Sequence, residues 1–373
     1  MSDARGLYLG LISGTSVDGI DAVLARFEPD LEILATATLP WPAPLQQQIV
    51  ALARDRAAIA LDELGALDVR IGRQFGASAI ALLHQAGVAP QQVRAIGSHG
   101  QTVCHRPAAE PPFSLQLGDA ASIAEATGID VVADFRRADV AAGGQGAPLL
   151  PLLHQSLFGR DGATRVVLNL GGIANISLLA PGRPLLGFDT GPANCLLDAW
   201  AARHLGTVRD EAGAWAASGQ VDTALLARLS ADPYFALPPP KSSGREYFQL
   251  DWLTRFGLDG VSTADVQATL LALTTHSIVE AIHTHAAGTR EVLVCGGGVH
   301  NPVLMDALTT ALAPTAVVST AHYGVDPDFI EASAFAWLAR QWLLDLPGNL
   351  PSVTGARGAR VLGSLSKAPR ARG

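Results

Sequence analysis

The strongest constraint on the fold is a pair of apolar segments that each break at a bend of small residues and then resume. The first is GLISGTSVDGIDAVLARF, residues 10–27, and the second is RVVLNLGGIANISLLA, residues 165–180. An apolar strand that turns on glycine and small polar residues, and then continues as a second apolar strand, predicts a β-hairpin. Because this pattern occurs once in each half of the chain, we expect two structurally similar halves.

Segments with helical periodicity follow each hairpin. Residues 61–87 carry apolar side chains at three- and four-residue spacing, and residues 262–288 open on Ser262 with Asp265 three positions later, which is the pattern of a capped helix. Strands that alternate with helices predict an α/β protein with mostly parallel crossovers. The glycine- and proline-rich stretch at 136–151 predicts the boundary between the halves.

Composition limits the class of protein. A chain of 373 residues exceeds one ordinary hydrophobic core, so two domains are expected. The net charge of −8, without an internal basic cluster, argues against nucleic acid as a partner. The three cysteines, Cys104, Cys195 and Cys295, are spaced for neither a disulfide framework nor a zinc site. No segment approaches the roughly 18 apolar residues of a membrane helix, and the first residues lack the features of a signal peptide, so we expect a cytoplasmic protein without a membrane partner.

Three glycine-rich bends are candidate phosphate sites. The bends of the two hairpins expose backbone N–H groups and hydroxyls without bulky side chains, so an anion can approach closely. A third cluster, VCGGGVHN at 294–301, follows a buried strand and opens a helix, whose first N–H groups favour a nucleotide. This cluster has the spacing of neither a dinucleotide fold nor a P-loop. A plain tight turn remains the alternative for each bend.

Two further segments bear on the chemistry. Residues 93–105 predict a buried strand that runs into a polar loop, and residues 185–198 place Asp189 directly after an apolar strand, on a turn with Gly191 and Pro192. A carboxylate at a strand end can deprotonate a hydroxyl or a water, or orient a magnesium ion. The alternative is that Asp189 caps the following helix. Phosphoryl transfer needs a base near the phosphates, and Asp189 is the best-placed acid for that role.

Seven segments occur in the order found in the 1,6-anhydro-N-acetylmuramic acid kinases of bacterial cell-wall recycling, and the chain resembles that family from about Gly6 to Leu343. They are GTSVDGID, SHGQTVCHRP, ADFRRADVAAGGQGAPLLP, NLGGIANIS, FDTGPANCLLD, PPKSSGREYF and VCGGGVHN. The resemblance implies the actin-like, hexokinase-like ATPase fold, in which two ribonuclease-H-like domains enclose an interdomain cleft with ATP and a final helix returns to the first domain. We expect domain I at 1–136 with about 345–373, and domain II at 137–344.

The resemblance also assigns residues to ATP. The first hairpin becomes the first phosphate loop, the second hairpin the second phosphate loop, and the late glycine cluster the adenosine loop. The implied contacts are Gly14, Thr15, Ser16, Val17, Asp18, Gly19, Ile20, Asp21, Asn169, Gly171, Gly172, Asn175, Gly296, Gly297, Gly298 and Asn301. Mg²⁺ is expected with ATP, held mostly by phosphates and water, with Asp18 and Asp21 as candidate ligands. Ordinary turn chemistry is the alternative for Asp18.

The implied substrate is 1,6-anhydro-N-acetylmuramic acid. Water adds at its anomeric carbon while the released 6-oxygen takes the γ-phosphoryl group of ATP, which gives N-acetylmuramic acid 6-phosphate and ADP. Asp189 matches the family's catalytic base and would take the proton from that water. Four residues lie in segments that match the substrate pocket: His99, Gln101, Arg136 and Glu331. The planar guanidinium of Arg136 suits the lactyl carboxylate.

Other readings of the same fold remain open. An ordinary sugar kinase would phosphorylate a free hydroxyl and need no water. A sugar-sensing repressor would carry a helix-turn-helix, for which the first strand near Gly6 leaves no room. An actin-like filament protein would need polymer surfaces. The resembled family suggests a homodimer. It often has glycine where Ala193 stands, and the methyl group of alanine slightly restricts the turn after Asp189. Lys241, on a loop after three prolines, is left outside the predicted site.

Overall fold

The computed structural model describes residues 6–14, 17–55, 59–160, 162–243 and 247–369. The chain divides into two compact units, one formed by Met1–Leu153 with Phe329–Gly373 and the other by His154–Asp328. This division differs from the expected boundary of domain II at 137–344, because the stretches at both of its ends pack with the first unit. Strands β1–β12 and helices α1–α13 are numbered along the chain.

One seven-stranded sheet forms the first unit. Its strands are β1 (Leu7–Ser13), β2 (Ile20–Arg26), β3 (Glu32–Leu39), β4 (Val93–Arg106), β5 (Phe113–Leu117), β6 (Val131–Ala133) and β12 (Ser364–Ser366). Their order is β12-β6-β4-β1-β2-β3, with β5 paired to β4. Strands β1, β2 and β3 form an antiparallel meander, β4 runs parallel to β1, and β6 runs parallel to β4.

The helices of the first unit cover this sheet. They are α1 (Ala43–Asp55), α2 (Leu61–Ala86), α3 (Ala120–Thr127), α4 (Arg137–Ala141), α12 (Ile330–Leu343) and α13 (Pro351–Thr354), while α5 (Pro151–Phe158) contains the boundary between the units. The α2 helix buries Leu67, Ile71 and Phe75 on one stripe, as its periodicity predicts, and ends at Gly87 in the left-handed region. The α3 helix is capped by the Asp119 carboxylate, which accepts from two backbone N–H groups.

The late helix α12 lies directly on the backbone of β1 and β4. A Cβ atom at Gly10 would collide with the carbonyl oxygen of Ala332, and a Cβ at Gly97 would collide with that of Phe335. Two glycines on neighbouring parallel strands therefore let the helix approach the sheet more closely than any side chain would allow. This packing explains why α12 belongs to the first unit, although the expected bounds place residues 330–343 in domain II.

The second unit repeats the arrangement with a five-stranded sheet. Its strands are β7 (Thr164–Leu170), β8 (Ile173–Leu179), β9 (Leu186–Pro192), β10 (Thr289–Cys295) and β11 (Ala316–Ser319). Their order is β11-β10-β7-β8-β9, with an antiparallel meander followed by two parallel additions. This matches β6-β4-β1-β2-β3 strand for strand. The predicted structural repeat of two ribonuclease-H-like units, and with it the actin-like fold class, is confirmed.

Helices of the second unit pack against its sheet and one another. They are α6 (Asn194–Leu205), α7 (Ala214–Ser218), α8 (Thr223–Ser230), α9 (Leu250–Thr254), α10 (Thr263–His285) and α11 (Pro302–Leu312). The predicted cap of α10 is present, since the Ser262 hydroxyl accepts from the Asp265 N–H at 3.1 Å. None of the helices in the described residues is both long and apolar enough to cross a bilayer.

Two local predictions are wrong. Residues 93–105 do not run from a strand into a loop, because β4 continues to Arg106 where β5 pairs with it and satisfies its backbone groups. Asp189 does not follow a strand, because β9 extends through it to Pro192 and pairs with β8 there. The next helix begins five residues later at Asn194, so Asp189 is not its cap.

Candidate active site

Polar side chains form a row across the second sheet. Asn169 on β7 stands opposite Asn175 on β8, and Asn175 stands opposite Asp189 on β9. On the other side, Cys295 of β10 is in register with Asn169. Residues that face each other on adjacent strands carry their side chains on the same face of the sheet. Two amides and one carboxylate therefore lie in line on one face, and the predicted base is the last member of the row.

A loop from the middle of the unit holds Asp189 at three points. The Ser243 N–H donates to Asp189 Oδ2 at 2.8 Å, the Asp189 N–H donates to the Lys241 carbonyl at 3.1 Å, and the Tyr234 hydroxyl donates to the Asp189 carbonyl at 2.8 Å. The first bond fixes the carboxylate, and the other two fix its main chain. The loop at 234–243 is therefore part of the site, although nothing in its sequence spacing predicts this contact.

Burial dominates the electrostatics of Asp189. Desolvation raises the pKa of its carboxyl to about 7, against the opposing effects of the Ser243 N–H and the Lys241 charge. The surroundings of this group thus place its proton equilibrium near neutral pH, far above that of an ordinary aspartate. A carboxylate with such a pKa is suited to accept a proton during catalysis.

Lys241, left outside the predicted site, lies close enough to act on Asp189. Its Nζ donates to the carbonyls of Tyr234 and Phe235, each at 3.2 Å, and lies 4.7 Å from the centre of the Tyr234 ring. Burial lowers the pKa of Lys241, while the Asp189 charge raises it. The sequence signal for Lys241 is that PPKSSGREYF is one of the seven segments shared with the resembled family. The three prolines before Lys241 leave no helical or strand periodicity that would have placed it in the site.

The late glycine cluster packs against the end of β7. Gly296 adopts a φ of 81°, and a Cβ there would collide with the Asn169 side chain. A Cβ at Gly298 would lie 2.5 Å from Leu170 Cβ, whereas Gly297 has open space around its Cβ position. Asn301 accepts from the Leu304 N–H at 3.1 Å and so caps α11. The structure thus brings the cluster to the row of polar side chains, with Gly296 required by the backbone and by Asn169.

The bend of the second hairpin is tied to the start of α6. The Gly172 carbonyl accepts from the N–H groups of Ala193 and Cys195, both at 3.0 Å, and the Gly171 carbonyl accepts from the Asn194 N–H at 3.1 Å. The α6 helix therefore directs its first N–H groups at the hairpin carbonyls and holds the bend in place. Ala193, where relatives often have glycine, is buried and makes one of these bonds.

In the first unit, the corresponding bend is held by two glutamines. The Gly14 carbonyl accepts from Gln101 Nε2 at 3.2 Å, and the Val17 carbonyl accepts from Gln46 Nε2 at 2.7 Å. Val17 has a φ of 58°, a conformation unusual for a β-branched residue. Gln101 thus ties β4 to the bend. Thr15 and Ser16, also predicted to contact phosphates, lie outside the described residues.

The carboxylates predicted to hold Mg²⁺ follow this bend. Asp18 is exposed, and Asp21 on β2 accepts from the Thr38 hydroxyl at 2.6 Å. Between them, Gly19 packs on Thr38 and Ile20 is fully buried, so Ile20 can offer a ligand only its backbone. Among the described residues no cluster of three or more His, Cys, Asp or Glu side chains is arranged to hold a metal. Magnesium bound mainly by phosphates needs only one or two carboxylates, so this donor set fits.

Three of the predicted substrate residues, His99, Arg136 and Glu331, lie together. Arg136 Nε donates to His99 Nε2 at 3.0 Å, so that nitrogen carries no proton, and His99 Nδ1 donates to the Gly100 carbonyl at 3.0 Å. Burial holds the pKa of His99 well below its usual value, and the Arg136 charge lowers it further. The ring is therefore neutral. The Glu331 charge acts on Arg136, whose Nη1 also donates to the Gly146 carbonyl at 2.7 Å.

The family model and the relatives that match this chain carry the same description. A family model described as anhydro-N-acetylmuramic acid kinase matches residues 6–368. A protein of that name from Xanthomonas oryzae pv. oryzae is 55% identical over 364 residues, 96% of this chain and 97% of that protein. Another, from Coxiella burnetii, is 46% identical over 362 residues, 96% of each chain.

Similarity to solved structures is weaker. The activator of the 2-hydroxyisocaproyl-CoA dehydratase from Clostridium difficile with bound ADPNP gives a TM-score of 0.44 at 11% identity, over 91% of this chain and 96% of that chain. The family model and the relatives span nearly the whole sequence, including the segments that form the row of polar side chains. The chain belongs to the anhydro-N-acetylmuramic acid kinase family.

Proposed function

We propose that this chain is an ATP-dependent kinase that opens the 1,6-anhydro ring of 1,6-anhydro-N-acetylmuramic acid with water and phosphorylates the sugar, in the recycling of peptidoglycan. Family membership supports the reaction. One observation assigns the reaction to particular atoms, namely the position of the Asp189 carboxylate. The Ser243 N–H orients this carboxylate at the end of a row of polar side chains, beside glycine bends.

In the proposed reaction, Asp189 accepts one proton from water. The water oxygen forms a bond to the anomeric carbon, and the bond from that carbon to the bridging 6-oxygen breaks. The released 6-oxygen forms a bond to the γ-phosphorus of ATP, and ADP leaves. Asp189 then returns its proton to solvent. One base thus serves both ring opening and transfer, because expulsion of the bridge oxygen creates the nucleophile.

We assign the nucleotide to the two hairpin bends and the late glycine cluster. Their glycines let phosphates approach the backbone closely, although the Gly296 N–H already donates to the Pro327 carbonyl at 2.9 Å. In the same proposal Asp18 and Asp21 hold Mg²⁺, which would neutralise charge on the phosphates. Asn301 is already used as a helix cap, so its contribution to nucleotide binding would be to fix the glycine cluster.

The first unit is assigned to the anionic part of the sugar. Arg136 would pair with the lactyl carboxylate, and because its Nε is bound to His99, the two contacts must come from its Nη atoms. The neutral His99 ring orients this guanidinium, and Glu331 balances its charge. We also propose a homodimer located in the cytoplasm, for which light scattering of the purified protein is the check of assembly.

Isotope labelling tests the proposed reaction. The protein is incubated with ATP and magnesium in water enriched in oxygen-18, with either the anhydro sugar or free N-acetylmuramic acid as acceptor. We expect ADP release with the anhydro sugar, and a label at the anomeric position of the product that a rapid quench captures before exchange. Phosphorylation of the free sugar with equal efficiency, or an unlabelled product, would support the ordinary hydroxyl kinase instead.

The pH dependence of kcat/KM follows from Asp189. Because the base works only when ionised and burial raises its pKa to about 7, activity should fall on the acid side with an apparent pKa near 7, to about one tenth of its plateau at pH 6. His99 and His105 stay neutral over this range, since burial lowers the pKa of both and that of His105 to about 4. Initial rates from about pH 5 to about pH 9 check this. A profile that stays flat down to pH 5 contradicts it.

A further inference from the structure

Lys241 stands beside the proposed base and has no role in the reaction described above. We infer that Lys241 is a positioning residue, whose ammonium charge keeps the Asp189 carboxylate ready to accept a proton and whose hydrogen bonds hold the loop at 234–243 against β9. This inference rests on the proposed function, in which Asp189 is the base. It adds a residue that prepares the base without touching the reacting atoms.

The contacts of Lys241 join the loop to itself and to the base. Its Nζ donates to two successive carbonyls, those of Tyr234 and Phe235, and lies over the Tyr234 ring. Its own carbonyl accepts from the Asp189 N–H, and Tyr234 in turn donates its hydroxyl to the Asp189 carbonyl. The loop therefore closes a circuit from Asp189 through Lys241 to Tyr234 and back. Loss of the ammonium group removes both a loop anchor and a positive charge.

The charged and titratable groups around this circuit come from several elements. On the loop itself are Lys241 and Tyr234, and burial raises the pKa of the Tyr234 hydroxyl, with the Asp189 charge raising it further. From α10, His285 packs edge-on against Phe188 with ring centres 5.1 Å apart. Burial lowers the pKa of His285, and the Lys241 charge lowers it further. Lys241 thus supplies the positive charge that opposes the desolvation of Asp189.

The choice of residue type is informative. The chain contains only two lysines, Lys241 and Lys367, whereas its other basic side chains are arginines. An ammonium group is compact and can donate to two adjacent carbonyls while it lies over an aromatic ring. A guanidinium is a wider planar group. Lys367 pairs with Asp130 in the first unit at 2.7 Å and is half-exposed. It provides a matched control for the same chemical change.

Substitution by glutamine separates the charge from the hydrogen bonds. Lys241→Gln retains an N–H donor for the loop carbonyls but removes the positive charge. We expect the acid limb of the kcat/KM profile to move to higher pH by about one unit, so that activity falls about tenfold at pH 6 and recovers near pH 9. Lys241→Arg should leave the limb in place because it retains the charge. Lys367→Gln should leave the whole profile unchanged.

A uniform loss of activity at every pH in Lys241→Gln, without a shifted limb, would mean that the residue is only structural and would overturn the inference. Failure of the proposed function would give a different result, because Asp189→Asn would then retain activity. If Asp189→Asn is inactive and the Lys241→Gln limb stays in place, the inference alone fails.

Chemical modification covers the case in which Lys241→Gln does not fold. In the Lys367→Gln background, Lys241 is the one remaining lysine, so acylation of the folded protein neutralises its side chain, and peptide mass spectrometry confirms the site. The unmodified background protein and a sample acylated only at its terminal amine serve as controls. The same upward shift of the acid limb is expected. An acylated Lys241 with an unchanged limb would overturn the inference.

Discussion

Replacement of Asp189 by asparagine is expected to lower kcat by about 10²–10⁴-fold and to leave the KM values for ATP and the anhydro sugar near those of the unaltered protein. Asparagine has the same shape and retains an oxygen that can accept from the Ser243 N–H, but it cannot take a proton from water. Steady-state kinetics with both substrates varied will measure this. Turnover that remains within about tenfold would refute the assignment of the base.

Thermal unfolding of the same variant distinguishes lost chemistry from lost structure. The pKa of Asp189 is raised in the folded protein, so ionisation of this group destabilises the fold as pH rises from the range of an ordinary aspartate through about 7. Asparagine is neutral at every pH and removes that penalty. The variant should therefore have a higher Tm than the unaltered protein at pH 8, and this advantage should shrink as the pH falls towards 4. A lower Tm at pH 8 would contradict the buried-carboxylate account.

Substitution of Gly97 by alanine should destabilise the protein by about 3 kcal/mol or more. The new methyl group would collide with the Phe335 carbonyl, which belongs to the backbone of α12 and cannot rotate away, so the helix must move off the sheet. Urea unfolding followed by far-ultraviolet circular dichroism measures the loss. An unfolding midpoint equal to that of the unaltered protein would show that α12 is not packed as closely as described.

A second glycine provides the control for that experiment. Gly65 lies in α2, is exposed, and has no atom within 4 Å of its Cβ position. Alanine at Gly65 should therefore stabilise the protein by about 0.5–1 kcal/mol, because it only reduces the freedom of the unfolded chain and favours the helix. Opposite signs for the same substitution at the two positions would separate close packing from intrinsic helix propensity.

The local architecture could be predicted from the sequence because its signals are local. Both hairpins, the α2 stripe and the Ser262 cap follow from residues that are neighbours in the chain. The position of Asp189 inside β9 could not be predicted, since glycine and proline around it are poor strand residues and only pairing with β8 makes the segment a strand. The partners of Asp189 are equally remote, because three helices, α6, α7 and α8, separate it from the loop that carries Lys241, and that loop has no periodic pattern.

The expected boundary between the units differs from the observed division for a similar reason. Asp139 lies in a stretch that the sequence assigns to the second domain, yet its buried carboxylate accepts from Asn349 at 2.6 Å and from Thr354 at 2.7 Å. It also accepts from the Gly146 N–H at 2.7 Å. These bonds attach the glycine-rich connection to α13, near the far end of the sequence. A glycine- and proline-rich composition marks a turn of the chain but does not reveal which unit the turn packs against.

The order of the elements along the chain has a consequence for biosynthesis. The helix that covers β1 and β4 is specified by residues 330–343, after every strand of the second unit. A ribosome therefore delivers the whole second sheet before it delivers the cover of the first. Until then the glycine-lined face of the early strands lacks its partner, and the nascent first unit remains incomplete. A chain released before Ile330 would contain all of the second unit, but its first unit would lack the helix that covers β1 and β4. Such a chain exposes apolar surface that chaperones and quality-control proteases recognise.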